Sequence, residues 1–132
     1  MNKVLDSYAL LAFFEKEPGY EIVKDALAEA LEKDNFLLMT AVNAGEIYYI
    51  VARELGTGKA EEIWEVIRTL PVEIIEVDAE LAREAAKFKA RFSISYADCF
   101  VAALARIKKA EIITGDKEFE KISGELKIKW IG

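Results

Sequence analysis

Every short run in this chain that could form a strand is separated from the next by a stretch whose apolar residues recur at helical spacing. That alternation restricts the fold more than any other feature. The strand candidates cover 3–6, 36–39, 72–77, 111–114 and 127–131, and helical patterns occupy 8–17, 20–33, 40–55, 59–70, 78–91 and 95–109, with a short helix near 119–122. Pro18-Gly19 separates the first two helices, Gly56-Thr57-Gly58 ends the third, and Thr40, Asp78 and Ser95 stand where N-caps are needed. Parallel strands require crossover connections, and helical crossovers cover both faces of the sheet they join. The expectation is α/β: one three-layer α/β/α domain over 1–132 with a central, mostly parallel, five-stranded sheet.

Composition agrees with a single domain. The 132 residues are 53% hydrophobic, enough for one core, and no repeat or linker divides them. No apolar run approaches the roughly 20 residues that span a bilayer, and Asp6 interrupts the start before an export signal could develop. With one cysteine, Cys99, an intramolecular disulfide is excluded and a reducing compartment fits. A cytoplasmic protein without a membrane partner is expected. Glu outnumbers Asp 18 to 6 and glutamine is absent, a balance that resembles heat-adapted proteins and predicts a thermophilic source.

The chain has no histidine, which closes His-based catalysis and His-ligated metals. Its chemistry must run on oxygens. The net charge of -6 disfavours non-specific attraction to a polyanion, so nucleic acid is reachable only through a local site or a metal.

Four carboxylates stand out. Asp6 ends the first strand and Asp116 follows the fourth, which places both at the carboxyl edge where open α/β sheets bind ligands. Either could also simply cap the next helix. Glu46 lies in an otherwise largely apolar helix with Asn43 on its stripe and Arg53 further on. A carboxylate buried there needs a partner or a cation, whereas an exposed polar stripe of Asn43, Glu46 and Arg53 would need neither. Asp98 has capping-box spacing from Ser95, yet shares a helix face with Ala102 and Ala105, small residues that let a neighbour approach. Thr114 offers its hydroxyl to an ion, to bound water or to a strand-end backbone group, and Ser7 has the same ambiguity. Should the four acids converge, their repulsion would demand protons or a cation. Oxygen ligands without His or Cys select Mg²⁺ or Mn²⁺.

Four segments, Val4-Leu-Asp6-Ser7, Asn43-Ala-Gly-Glu46, Tyr96-Ala-Asp98-Cys-Phe-Val-Ala-Ala103 and Ile113-Thr-Gly-Asp116-Lys-Glu-Phe119, together resemble the PIN-domain ribonucleases. Within that family the chain is similar to the small VapC-type toxins of bacterial and archaeal toxin-antitoxin pairs, over nearly its whole length. The resemblance implies a metal-dependent endoribonuclease in which Asp6, Glu46, Asp98 and Asp116 bind Mg²⁺ or Mn²⁺, Thr114 supports the last of them, and cleavage leaves a 5′-phosphate and a 3′-hydroxyl. Glu118 stands where many relatives carry a further aspartate. A homodimer and a small antitoxin, whose tail covers the acidic pocket and places an Arg at the metal position, are also implied.

Other readings fit less well. A receiver domain needs a phosphoacceptor Asp on a middle strand, which Ile74-Ile-Glu76-Val lacks, and an aspartyl phosphatase needs a second Asp where Tyr8 stands. A catalytically silent PIN-like module that binds RNA or protein is the alternative of a different class. Single-stranded or looped RNA is the expected substrate, with Arg53, Arg91 and Lys117 as phosphate contacts. Tyr48, Tyr49, Ile63, Trp64 and Ile67 supply the apolar surface expected at a dimer contact.

Overall fold

In the computed structural model, which describes residues 2–132, the first strand β1 (Lys3–Leu5) lies at the centre of a five-stranded sheet. The others are β2 (Leu37–Thr40), β3 (Val72–Ile75), β4 (Glu111–Thr114) and β5 (Ile128–Trp130), in the order β3-β2-β1-β4-β5, all parallel. The expected α/β sandwich is therefore present. The helices are α1 (Ser7–Glu15), α2 (Tyr20–Glu32), α3 (Ala41–Leu55), α4 (Thr57–Thr69), α5 (Ala79–Arg91) and α6 (Tyr96–Lys108), followed by a 3₁₀ helix at Lys117–Ile122.

Side chains alternate across the sheet, and the alternation sorts them into two cores. Leu5, Leu37, Met39 and Ile113 face α1 to α4, while Val4, Leu38 and Ile112 face α5, α6 and the 3₁₀ helix. A register slip of one residue would exchange these sets. Register is fixed by Val4 opposite Leu38 and Ile112, and by Thr114 opposite Trp130.

Several element boundaries differ from the sequence expectation. Gly56 alone, at φ 92°, separates α3 from α4, so α4 begins at Thr57 rather than at 59. Asp6 caps α1 directly, and the helix starts at Ser7. The third strand stops at Ile75, short of Glu76 and Val77. The apolar surface assigned to a dimer contact is also partly consumed within the chain. Ile67 is buried, and the Tyr48 and Trp64 rings meet edge to face at 6.2 Å between α3 and α4. Tyr49 remains exposed.

Because β1 sends the chain toward β2 and β3 on one side, and β4 and β5 fill the other, strand order reverses beside β1. The crevice expected at such a reversal lies beyond the carboxyl ends of β1 and β4. Asp6 and Asp116 follow those two ends.

Candidate active site

Three segments distant in sequence deliver carboxylates to this crevice. Asp6, Asp98 and Asp116 each place an oxygen within 4.8 Å of the others. Asp6 and Asp98 are buried, and Asp116 is partly so. The capping roles considered for these residues are real and coexist with the cluster. Asp6 Oδ1 accepts from the Ala9 amide at 2.8 Å, Asp116 Oδ1 accepts from the Glu118 amide at 3.0 Å, and the Ser95 hydroxyl accepts from the Asp98 amide at 3.1 Å. Capping fixes one oxygen or the backbone and leaves the remaining carboxylate oxygens free to converge.

Thr114, fully buried, joins two of the acids. Its hydroxyl donates to Asp6 Oδ2 and accepts from the Asp116 amide at 2.9 Å. Of the uses foreseen for Thr114, the bond to a strand-end backbone group occurs, and the hydroxyl hydrogen goes to a carboxylate. Asn43 plays a corresponding part after the end of β2. Its Oδ1 accepts from the Thr40 hydroxyl, and its Nδ2 donates to the Ala97 carbonyl at 3.2 Å, which ties the start of α3 to the residue before Asp98. Asn43 is buried, so no exposed stripe runs from it to Glu46 and Arg53.

Glu46 stays outside the tight group of three. It is half-buried, and its Oε1 accepts from the Ser7 hydroxyl at 2.5 Å. Its charge nevertheless reaches Asp6 and raises that carboxyl's pKa. Glu118 contributes its backbone amide to Asp116, while its carboxylate turns to Lys121 at 2.9 Å.

The electrostatics express crowding. Burial, with smaller contributions from Asp116 and Glu46, pushes Asp6 up to about 7 against the hydrogen bonds from Thr114 and Ala9. Burial, then the charge of Asp116 and a hydrogen bond shared with it, then Asp6, push Asp98 up to about 8, opposed by Ser95. The charges that weigh most on these groups are other carboxylates. Such a set keeps protons or gains a cation. An all-oxygen donor set of this spacing fits a hard divalent ion, with Asp6, Asp98 and Asp116 able to hold it.

The three expected substrate cations separate. Lys117 adjoins Asp116, is exposed, and makes no ion pair among the described residues. Arg53 is exposed, with its guanidinium 5.0 Å from the Tyr49 ring centre. Arg91, expected on substrate phosphate, is instead occupied by Glu125 through two bonds of 3.1 and 2.5 Å. Arg106 shares that glutamate at 2.8 Å. Since Arg106 follows Asp98 by eight residues on α6, this ion-pair group sits about 12 Å along the helix from the acids. Arg91 therefore belongs to the scaffold joining α5, α6 and the segment after the 3₁₀ helix.

The family model of the PIN domain matches residues 3–125. The chain belongs to the PIN-domain family. Ribonuclease VapC of Mycolicibacterium smegmatis is 26% identical over 125 residues, covering 88% of this chain and 92% of the relative. Among solved structures, the fold is similar to VapBC2 from Rickettsia felis bound to a promoter DNA fragment, with a TM-score of 0.78 at 19% identity and full coverage of both chains. It is also similar to VapC20 of Mycobacterium tuberculosis, described as a toxin that cleaves the sarcin-ricin loop, with a TM-score of 0.69, 18% identity and coverage of 95% and 96%. The family and the fold implied by the four sequence segments are thus the ones found.

One feature of the PIN-domain crevice escaped the sequence reading. Gly115, between Thr114 and Asp116, packs so close to the Tyr8 ring that a Cβ there would collide with it. A tyrosine after Asp-Ser and a glycine before the last acid carry no spacing signal linking them.

Proposed function

We propose that this PIN-domain chain is an endoribonuclease that hydrolyses RNA phosphodiester bonds with Mg²⁺ or Mn²⁺ and serves as the toxin of a toxin-antitoxin pair. The observation that carries the reading is the convergence of Asp6, Asp98 and Asp116 at the carboxyl ends of β1 and β4, in a chain without histidine. Asp6, Asp98 and Asp116 are the residues that would hold the ion. Glu46 completes the acidic set from outside the triad, positioned by Ser7. A divalent ion bound there lowers the pKa of water and offsets charge on phosphate oxygens. Thr114 holds the Asp6 carboxylate and the Asp116 backbone in fixed relation, so both acids present oxygens without rearrangement. Asn43 ties the first turn of α6, at the residue before Asp98, to α3. Lys117 and Arg53 are the cations assigned to the RNA backbone.

Two partners follow from this reading. The first is a second copy of the chain, forming a homodimer through the α3 and α4 surface that includes Tyr49. The second is a small antitoxin whose tail supplies an Arg to the carboxylates, charge complementary to a chain of net charge -6. The similarity to VapBC toxin-antitoxin structures supports the second.

The test is cleavage of a fluorescently labelled single-stranded RNA by purified protein. Expected is cleavage with Mn²⁺ or Mg²⁺, lost with EDTA and lost in Asp6→Asn. RNA binding with no cleavage under any metal would replace the nuclease with a silent binding module.

A further inference from the structure

Of the ten large apolar side chains exposed among the described residues, three stand at the carboxyl edge beside the acids: Tyr8, Tyr96 and Trp130. Tyr8 follows Asp6 by two residues, Tyr96 precedes Asp98 by two, and Trp130 pairs in register with Thr114. Tyr96 is engaged by Phe100, its ring centre 4.9 Å away. Tyr8 makes no hydrogen bond and no ring contact among the described residues and is 49% exposed.

What seats the Tyr8 ring is Gly115. A Cβ at that position would lie 2.4 Å from Tyr8 Cε1 and 3.0 Å from Cδ1. Gly115 does not have positive φ, so its backbone makes no demand for glycine. The requirement comes from the ring. The segment carrying Asp116 is thus shaped to accept one side of an aromatic residue that remains about half exposed, at 49%.

We propose that Tyr8 is a substrate-positioning residue whose ring, seated on Gly115, stacks with a nucleobase of single-stranded RNA next to the phosphate at the acidic cluster. This rests on the ribonuclease reading and specifies how that site takes its substrate. An edge dominated by carboxylates repels the RNA backbone, so a contact to the uncharged part of the nucleotide adds affinity that a few cations there do not supply. A base offers a π-face to an aromatic whatever its identity, and no charge is needed. Tyr8, two residues from Asp6, is placed for that contact, and the exposed Lys117, two residues after Gly115 in sequence, is available for a flanking phosphate.

The experiment uses a single-stranded RNA carrying 2-aminopurine at successive positions, followed by stopped-flow fluorescence and steady-state cleavage with Mn²⁺. Wild type should quench the probe at one or two positions. Tyr8→Ala and Tyr8→Leu should abolish that quenching and raise KM roughly 5- to 150-fold, the usual worth of one base on an aromatic, with a much smaller change in kcat. Tyr8→Leu keeps an apolar side chain beside Gly115, so it separates stacking from loss of fold. Tyr8→Phe should behave as wild type, and Gly115→Ala, which displaces the ring, should resemble Tyr8→Leu. Unchanged KM and quenching in Tyr8→Leu would overturn the proposal, as would an unchanged KM with loss of antitoxin binding, which would give Tyr8 to a protein partner. A wild-type protein that neither binds nor cleaves RNA would instead remove the ribonuclease reading beneath it.

Discussion

The Thr114 hydroxyl donates to Asp6 Oδ2 across 108 positions of sequence and couples the end of β4 to the cap of α1. Replacing Thr114 with Val preserves shape and removes the hydroxyl, leaving the buried Asp6 oxygen without its donor and the Asp116 amide without its acceptor. The metal-free protein should lose about 1–3 kcal/mol, the cost of buried polar groups left unsatisfied. Because that hydrogen bond lowers the Asp6 pKa, its loss should move Asp6 above about 7 and shift the onset of metal binding to higher pH. Denaturant melts and calorimetric metal titrations check both, and Thr114→Ser should restore them.

Asn43 is a second such joint, between α3 and the residue before Asp98. Asn43→Ala should cost about 1–3 kcal/mol and weaken Mn²⁺ affinity roughly 10- to 100-fold, as outer-shell substitutions do. Much of the lost cleavage should return at high Mn²⁺. Failure of excess metal to restore any activity would assign Asn43 to folding alone.

The cations give contrasting outcomes. Lys117→Ala should weaken RNA binding and reduce the slope of log affinity against log salt by about 0.7, one single-strand phosphate contact. Arg91→Ala should leave affinity and slope unchanged and lower the melting temperature, because it frees Glu125 from one of its two guanidinium partners. Fluorescence anisotropy at several salt concentrations distinguishes them.

Much of this arrangement was legible before any coordinates. Strand and helix alternation implied the parallel sheet, and the strand-end positions of Asp6 and Asp116 implied a shared edge. Asp98 was harder, since Ser95 caps its helix as the capping-box spacing suggests. Spacing alone cannot say that the carboxylate also points into a cluster. For Glu46, helical phase gives a direction and not a depth, and its carboxylate accepts from Ser7 outside the group of three. The ion pair of Arg91 was hidden for a different reason. Its partner Glu125 lies 34 residues away, and no local pattern announces a pair at that separation. The seat of Tyr8 on Gly115 is likewise a tertiary contact.

Protonation sets the pH response. Asp6 and Asp98 have folded pKa values of about 7 and about 8, above the ordinary carboxylate value of 3.8. Between that value and the folded ones, unfolding releases protons, so the metal-free protein is most stable at the acidic end and loses stability as pH rises through about 8. Metal ions bind the ionised carboxylates, so added Mn²⁺ should raise the melting temperature more at pH 8 than at pH 5. Melts in EDTA and in Mn²⁺ across this range check the crossing trends, and a metal-free melting temperature that climbs from pH 5 to 8 would contradict them.

Asp98→Asn tests the shared site most directly. Neutralising one carboxylate relieves crowding and removes the need for proton uptake at that position. The EDTA-treated variant should therefore be more stable than wild type at pH 7 to 8, by on the order of 1 kcal/mol or more. Mn²⁺ should no longer stabilise it appreciably, and cleavage of single-stranded RNA should be lost. The measurement is a paired thermal melt, with EDTA and with Mn²⁺, beside an RNA cleavage assay on the same preparations. A variant that melts lower than wild type in EDTA yet cleaves RNA at the wild-type rate would contradict a common metal site and leave Asp98 as a helix-capping residue only.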